Sequence, residues 1–191
     1  DIMGVDGYGL LEIAKQKNPK MNVMVGDITA DDIAAKVNDQ FDLIVLRDVI
    51  EHIPDRVATF RNISKLLKPG GFLFVSFPPR FSGFAGHQQM GRSVMRYFPY
   101  YHLLPNFLIK VLGKLFKEND YIIENAILNF KIGLSIRAFE KYYRNSGFKV
   151  VQNDLFLFRP LYKIRFGLNP RKFPNIPVFR EILAFGCEAL L

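Results

Sequence analysis

Short apolar runs alternate with helical stretches over the first 79 residues. The runs at 2–5, 22–25, 41–46 and 72–76 predict strands, and the last two show no alternation of apolar and polar positions. Such strands are covered on both faces, and their alternation with helices is typical of α/β folds. The pattern therefore predicts a doubly wound, mostly parallel sheet with helices on both faces.

The intervening segments predict helices, the first of them over 9–16. The clearest helix follows a candidate N-cap at Asp55, and the run Pro69-Gly70-Gly71 is predicted to end it. Apolar residues that recur every three or four positions predict its buried stripe: Val57, Phe60, Ile63 and Leu67.

The pattern changes after Pro79. Residues 80–134 contain no clear strand, are rich in aromatic residues and glycine, and include a predicted amphipathic helix over 106–117. Ser135 is a candidate N-cap for the next helix, and Gly147 is predicted to end it.

A last section of the chain is predicted to complete the same sheet. We predict a strand over 148–158, a loop over 159–180, and a closing strand or helix over 182–191. The chain is therefore expected to have three parts, which are 1–79, 80–134 and 135–191.

Charge is distributed unevenly along the chain. The net charge is +8, but the first 60 residues carry eleven acidic and six basic side chains, whereas residues 61–191 carry seven acidic and twenty basic ones. The basic, aromatic part could bind an acidic small molecule, nucleic acid or an anionic membrane surface. A basic surface that serves only solubility is the alternative.

Cysteine content and hydropathy exclude further classes. One cysteine, Cys187, cannot form an internal disulfide framework, and it predicts a reducing compartment such as the cytoplasm. No run of 18 apolar residues occurs, so no membrane-spanning helix is predicted.

Four segments follow one another at a characteristic spacing: GVDGYGLLEIAKQK (4–17), MVGDI (24–28), FDLIVLRDVIEHIPD (41–55) and LLKPGGFLFVSFPP (66–79). Together they resemble the class I, Rossmann-like S-adenosylmethionine-dependent methyltransferases, in the type 11 methyltransferase-domain branch. The segments FSGFAGHQQM and PVFRE are similar to a subgroup of these enzymes. The resemblance implies methyl transfer with S-adenosylmethionine as the cofactor, and a cap over the acceptor formed by the insert at 80–134.

The resemblance assigns five residues to the cofactor. Asp6, with Gly7 beside it, matches the family carboxylate that binds the ribose hydroxyls. Asp27 matches the acid that accepts the adenine amino group, and Ile28 would lie against the adenine ring. Arg47 follows the next strand at the edge where open α/β sheets bind ligands. Each acid could instead simply end a strand in a turn.

Asp48 and His87 are the candidate catalytic residues on the acceptor side. Asp48 follows Arg47 at the same edge, and His87 lies in a glycine-rich segment that could close over the site and supply a base. A purely structural histidine is the alternative for His87, and packing or substrate lining is predicted for His102. Glu51 is expected to interact with a helix N-terminus. The spacing of Cys and His predicts no metal site.

The family's glycine-rich loop, between its first strand and first helix, has no counterpart in this sequence. We therefore expect roughly 30 further residues, the size of a strand–loop–helix unit, to precede Asp1 in a larger enzyme. Cofactor binding and activity are expected to depend on that segment. Since the family's first strand would lie between them, the strands at 2–5 and 41–46 are not expected to pair.

Two other function classes stay open. A degenerate Rossmann-like module could bind nucleic acid through interleaved bases and aromatic rings, or the helix at 106–117 could lie on an anionic membrane. Asp6 and Asp27 favour the enzyme, because a pure binding module has no use for ribose and adenine acceptors. We therefore expect a methyltransferase that acts on a small hydrophobic or acidic molecule and not on nucleic acid. The oligomeric state is not predicted.

Overall fold

The computed structural model describes residues 2–7 and 11–191. Its described part contains seven strands and eight α-helices. The chain divides into two compact units, of which unit 1 comprises Asp1–Ile44 and Asp55–Gly71, and unit 2 comprises Val45–Pro54 and Phe72–Leu191. The division passes through two strands, β3 (Phe41–Arg47) and β4 (Leu67–Phe77).

Unit 1 is built around a parallel pair of strands. Its remaining elements are β1 (Met3–Asp6), α1 (Leu11–Lys17), β2 (Asn22–Val25), α2 (Ile33–Val37) and α3 (Arg56–Leu66). The register of β1 and β2 runs from Met3 opposite Asn22 to Asp6 opposite Val25. The helices bury Ile33, Val37 and Leu66 against apolar residues of both strands. The predicted helix over 9–16 lies partly outside the described residues.

Helix α3 begins as predicted and ends earlier than predicted. The Asp55 carboxylate accepts a hydrogen bond from the Ala58 N–H at 2.9 Å, which confirms the N-cap. Of the predicted buried stripe, only Val57 is wrong, since it is 63% exposed. The helix stops at Leu66 and passes directly into β4, which contains the Pro-Gly-Gly run. A Cβ on Gly71 would lie 3.0 Å from the Phe41 carbonyl oxygen, so glycine permits this close approach of backbones.

Unit 2 contains the C-terminal parts of β3 and β4, the three remaining strands and five of the eight described α-helices. Its elements are α4 (Asn106–Leu115), α5 (Asp120–Ile132), α6 (Ile136–Asn145), β5 (Gln152–Phe158), α7 (Pro160–Phe166), β6 (Arg171–Lys172), α8 (Phe179–Leu183) and β7 (Gly186–Leu190). Short 3₁₀ turns lie at Ile50–His52, Gln88–Met90, Val94–Tyr97 and Tyr101–Leu103.

The strands form two sheets within the described residues. β1 and β2 make one, and the other has the order β3-β4-β7-β5-β6. β7 runs antiparallel to both β4 and β5, and β5 runs antiparallel to β6, whereas β1 and β2 of the smaller sheet pair in parallel. The predicted α/β fold is confirmed, but the prediction that the strand at 41–46 is covered on both faces is wrong, since Leu43 and Val45 in β3 are 52% and 54% exposed. In this part of the chain β1 and β3 belong to different sheets, as expected.

The helices of unit 2 depart from the sequence prediction in two places. The predicted N-cap at Ser135 is confirmed, because its hydroxyl accepts a hydrogen bond from the Ala138 N–H at 3.2 Å. The predicted loop over 159–180 is wrong, since it contains α7 and β6. Pro160 preorganises the first turn of α7, and Gly167, with a φ of 71°, ends the helix. Four of its seven side chains are basic or aromatic, and they hide the apolar periodicity that would have predicted a helix. The sequence also did not indicate α5, which begins after an Asn119 cap.

The core of unit 2 is aromatic where α6 meets the sheet. The Phe139 ring contacts Phe77 and Tyr143 edge to face, with ring centroids 5.1 and 5.2 Å apart. Phe139 is fully buried. Among the described ranges, the structure has no helix whose length and apolar character would let it cross a bilayer.

We expect Phe139→Ala to lower the free energy of unfolding by about 3–5 kcal/mol, because it removes two ring contacts and leaves a cavity. Urea denaturation followed by circular dichroism measures this. Phe107→Ala is the matched control, since Phe107 is 66% exposed, and should cost less than about 1 kcal/mol. Equal losses in the two variants would contradict the assigned core.

Candidate functional site

Two predicted cofactor ligands lie at one edge of the β1–β2 pair in unit 1. The strands run parallel, Asp6 pairs with Val25, and the Gly26 N–H donates to the Asp6 carbonyl at 3.1 Å. Asp6 and Asp27 therefore follow their strands at the same carboxyl end, which is the ligand-binding edge of open α/β sheets. Gly7 lies directly after Asp6 and is exposed.

The Asp27 carboxylate is exposed and ionised. Its Oδ1 accepts hydrogen bonds from the N–H and the hydroxyl of Thr29, each at 2.8 Å. These donors lower the pKa of Asp27 below its usual value, because they stabilise the charged form. Both of these bonds use Oδ1, so neither of them occupies Oδ2. An ionised carboxylate is purely an acceptor, which suits an amino or hydroxyl donor on a ligand.

Asn62 holds the segment that follows β2, a role that the sequence did not indicate. Its side chain is fully buried, and its Nδ2 donates to the carbonyls of Ile28 and Ala30 at 2.8 and 2.9 Å. Ile28 is half-buried and packs on the core of unit 1. An amide on the buried face of α3, next to Ile63, is the signal that could have indicated this role.

Asp48 lies at the end of β3, in unit 2, with its backbone in the left-handed region at a φ of 53°. Its N–H donates to the Ser76 carbonyl at 2.7 Å, and its carboxylate accepts a hydrogen bond from the Arg159 guanidinium. Arg159 is 7% exposed and also lies 3.4 Å from the Ser76 hydroxyl. The ion pair therefore sets the direction of the Asp48 carboxylate. The preceding residue, Arg47, is exposed to solvent. No local pattern in the sequence indicates Arg159.

Three side chains that can ligate a metal come together beyond β3: Glu51, His52 and His87. One ligand atom from each lies within 4.8 Å of the other two. The His52 and His87 rings meet edge to face with centroids 5.0 Å apart, and His52 Nε2 lies 3.8 Å from a Glu51 carboxylate oxygen. The sequence spacing did not show this cluster, because His87 is distant from the adjacent Glu51-His52 pair.

The turn that carries His87 is held by a buried side chain. His87 has a φ of 59°, which is uncommon for a residue other than glycine. Gln88 is fully buried, and its Nε2 donates to the carbonyls of Gly83 and Phe98 at 2.8 and 3.1 Å. These bonds anchor the chain directly after His87 and so maintain its left-handed backbone.

The electrostatic surroundings of His87 keep its imidazole neutral. Burial lowers the pKa of His87 to about 4, and the electrostatic interaction with His52 acts in the same direction. Arg159 and Arg165 also lower the pKa, whereas Asp48 opposes them. At pH 7 the ring is therefore uncharged and offers one nitrogen as an acceptor.

A cavity of about 310 Å³ lies close to this turn, lined by Gln89, Met90, Arg96, Arg165 and Phe166. Among the described residues, Arg96 Nε and Gln89 Oε1 are buried without a hydrogen-bond partner. Two guanidinium groups, an aromatic ring and a thioether suit a small molecule that has both an aromatic and an acidic part.

His102 is a structural residue. It is fully buried, and its Nε2 lies 3.0 Å from the Arg80 carbonyl oxygen. Burial lowers the pKa of His102 despite that hydrogen bond. The packing role predicted from the sequence is the one that these contacts support.

A family model described as a methyltransferase domain matches residues 3–153 of the chain. Among characterised proteins, the chain is 33% identical over 78 residues to a ubiquinone biosynthesis O-methyltransferase of Pseudomonas syringae, which covers 39% of this chain and 34% of that protein. The corresponding enzyme of Saccharophagus degradans is 36% identical over 78 residues, covering 39% and 33%. The chain thus matches about a third of the length of these relatives.

Solved structures share the fold at low sequence identity. The plantazolicin methyltransferase BamL, in complex with a triazolic desmethylPZN analogue and SAH, superposes with a TM-score of 0.60 at 9% identity, covering 100% of this chain and 66% of that one. A methyltransferase of Thermotoga maritima, described as a possible histamine N-methyltransferase, gives a TM-score of 0.57 at 15% identity, with 99% and 71% covered. At these identities the similarity demonstrates the fold.

We expect the free energy of unfolding to fall as the pH drops below about 6.5, the ordinary pKa of histidine, and part of this fall to come from His102. Its folded-state pKa is lowered, so between the two pKa values only the unfolded chain binds the proton and gains stability. The cost is at most about 1.4 kcal/mol per pH unit in that window.

Urea denaturation at several pH values in this range, on the unmodified protein and on His102→Gln, measures the contribution. His87 titrates in both proteins, so the difference between them isolates His102. The variant should show the flatter dependence, and two parallel curves would contradict the assignment.

Proposed function

Because the chain belongs to the methyltransferase domain family, we propose that it transfers a methyl group from S-adenosylmethionine to an oxygen atom of a small molecule. The placement of Asp6 and Asp27 at one edge of the parallel β1–β2 pair carries the proposal. An oxygen acceptor is favoured because the matching relatives are O-methyltransferases of ubiquinone biosynthesis. We place the activity in the cytoplasm, where the buried Cys187 remains a thiol.

We assign the adenosine end of the cofactor to unit 1. Asp6 would accept hydrogen bonds from the ribose hydroxyls, and Gly7 would allow close approach of the backbone. Asp27 would accept the adenine amino group through Oδ2, and Ile28 would present an apolar surface to the ring. The ionised state of Asp27 and its orientation by Thr29 support this assignment. When bound, S-adenosylmethionine supplies a methyl group that its sulfonium already activates.

We assign the acceptor to unit 2, where an aromatic ring and an acidic group would fit the cavity lined by Arg96, Arg165 and Phe166. Within the same unit, the fixed carboxylate of Asp48 would orient polar groups of the acceptor. Methyl transfer by in-line attack depends mainly on such alignment.

His87 is assigned to the hydroxyl of the acceptor. Its neutral ring can accept a hydrogen bond from that hydroxyl, which positions the oxygen for attack. A general base works best when its pKa lies near the working pH, whereas the pKa of His87 is lowered to about 4. We therefore propose that His87 orients the hydroxyl more than it removes the proton.

We expect Asp6→Ala and Asp27→Asn each to weaken S-adenosylmethionine binding by about 1–3 kcal/mol, the cost of leaving a polar partner unmatched. Isothermal titration calorimetry on the full-length protein measures the affinity. Asp42→Asn is the control in the same unit, because it changes the same charge at an exposed ion pair with Lys68. Unchanged affinity in both test variants, or an equal loss in the control, would contradict the assigned site.

A second candidate function, peripheral membrane contact, is favoured by one observation on α4. Phe107, Val111 and Leu115 follow one another at helical spacing and are 66%, 58% and 68% exposed. The exposed Lys114 and Lys117 lie in the same segment. An apolar ridge flanked by lysines suits the surface of an anionic membrane.

We expect the protein to sediment with vesicles containing anionic lipid and not with neutral vesicles. The double variant Phe107→Ser/Leu115→Ser should lose this binding and keep its far-UV circular dichroism spectrum. Vesicle binding that is the same in the double variant would remove α4 as the membrane contact.

A further inference from the structure

We propose that Glu51, His52 and His87 form a binding site for one divalent transition-metal ion. The three residues belong to unit 2, and each contributes one side-chain donor atom to a common region. The proposal rests on this geometry, and it needs neither the cofactor nor the proposed reaction.

The separation of the donor atoms suits a single ion. All of them lie within 4.8 Å of one another, whereas metal–ligand bonds of about 2.0–2.2 Å place neighbouring donors roughly 3–4 Å apart. Small rotations of the side chains can close this difference. His52 is exposed and His87 is half-buried, so both rings have room for such rotations, while the nearly buried Glu51 supplies the fixed member of the set.

The backbone on both sides of the cluster is firmly held. The His52 N–H donates to the Val49 carbonyl at 2.9 Å, which closes the 3₁₀ turn that carries Glu51 and His52. On the other side, Gln88 anchors the turn after His87. His87 keeps a left-handed backbone, which is energetically unfavourable for a residue other than glycine. Strain of this kind persists where the surroundings hold a residue in place, as a ligand position requires.

The charges around the cluster permit a cation. Glu51 is 4% exposed, and a carboxylate at that depth is stabilised by positive charge beside it. Of the charged groups that act on His87, Arg159 is paired with Asp48, and Arg165 is exposed to solvent. The pairing of Arg159 reduces its repulsion toward an ion.

The donor set indicates which ions would bind. Two imidazole nitrogens and one carboxylate oxygen suit Zn²⁺ and neighbouring transition metals, whereas Mg²⁺ and Ca²⁺ prefer oxygen ligands alone. Three protein ligands leave at least one position for an outside molecule, as in sites where the metal acts on a substrate. With His87 bound to the ion, its ring nitrogen no longer accepts a hydrogen bond from the acceptor hydroxyl, and the ion itself could bind and polarise that hydroxyl instead. This role rests on the proposed function, whereas binding of the ion does not.

The test is titration of the metal-free protein with Co²⁺ and Zn²⁺ after treatment with a chelator. We expect one ion per chain, visible absorption bands from bound Co²⁺, and displacement of Co²⁺ by Zn²⁺. His52→Ala and His87→Ala should each weaken Zn²⁺ binding at least about tenfold, because each removes one of three ligands. Urea denaturation of every variant in the absence of metal establishes that it is folded.

Two matched controls separate the cluster from adventitious binding. His102→Gln removes the remaining histidine, and Glu124→Gln removes an exposed carboxylate on α5 that pairs with Lys110; both should keep the affinity. Absence of binding by the folded protein, or equal affinity in the double variant His52→Ala/His87→Ala, would overturn the proposal.

Calorimetry with S-adenosylmethionine, with and without bound metal, distinguishes this proposal from the proposed function. Cofactor binding without metal binding would overturn the metal site alone. Metal binding that depends on His52 and His87, in a protein that does not bind the cofactor, would support the metal site and lend no support to the proposed function.

Discussion

The ion pair between Asp48 and Arg159 is the constraint on which the arrangement of unit 2 depends. It joins the end of β3 to the start of α7, and both partners also contact Ser76 in β4. Gly186 in β7 provides space for the Arg159 side chain, since a Cβ at position 186 would lie 3.1–3.3 Å from three carbons of Arg159. A pair at this depth needs both partners, because either charge alone would be costly. By fixing Asp48, the pair directs the turn that carries Glu51.

Buried polar side chains organise the segment between β4 and α6 as much as apolar packing does. Glu118 accepts hydrogen bonds from the N–H groups of Arg92, Ser93 and Asn119 and from the Ser93 hydroxyl. Gln88 likewise donates hydrogen bonds to two backbone carbonyls, those of Gly83 and Phe98. Each of these buried groups needs its partners in defined positions, so loops without regular structure become well defined. The position of His87 beside His52 is one consequence.

The two units carry different parts of the proposed chemistry, and each part follows from its local environment. In unit 1, hydrogen bonds from Thr29 keep Asp27 charged at the end of a parallel strand, as a donor-bearing ligand requires. In unit 2, burial makes His87 a neutral ring that is weak as a base and suitable as a ligand. Burial therefore makes His87 a weaker base than a histidine with the ordinary pKa.

The sequence by itself determined the α/β class, the main strands, the caps at Asp55 and Ser135, and the places of Asp6 and Asp27 at strand ends, because periodicity and turn chemistry act over a few residues. It did not indicate α7, whose basic surface obscures its pattern. Only the tertiary structure decided that Arg159 pairs with Asp48 and that His87 joins Glu51 and His52. Those contacts join residues far apart in the chain, and no local pattern records which of them packing will bring together.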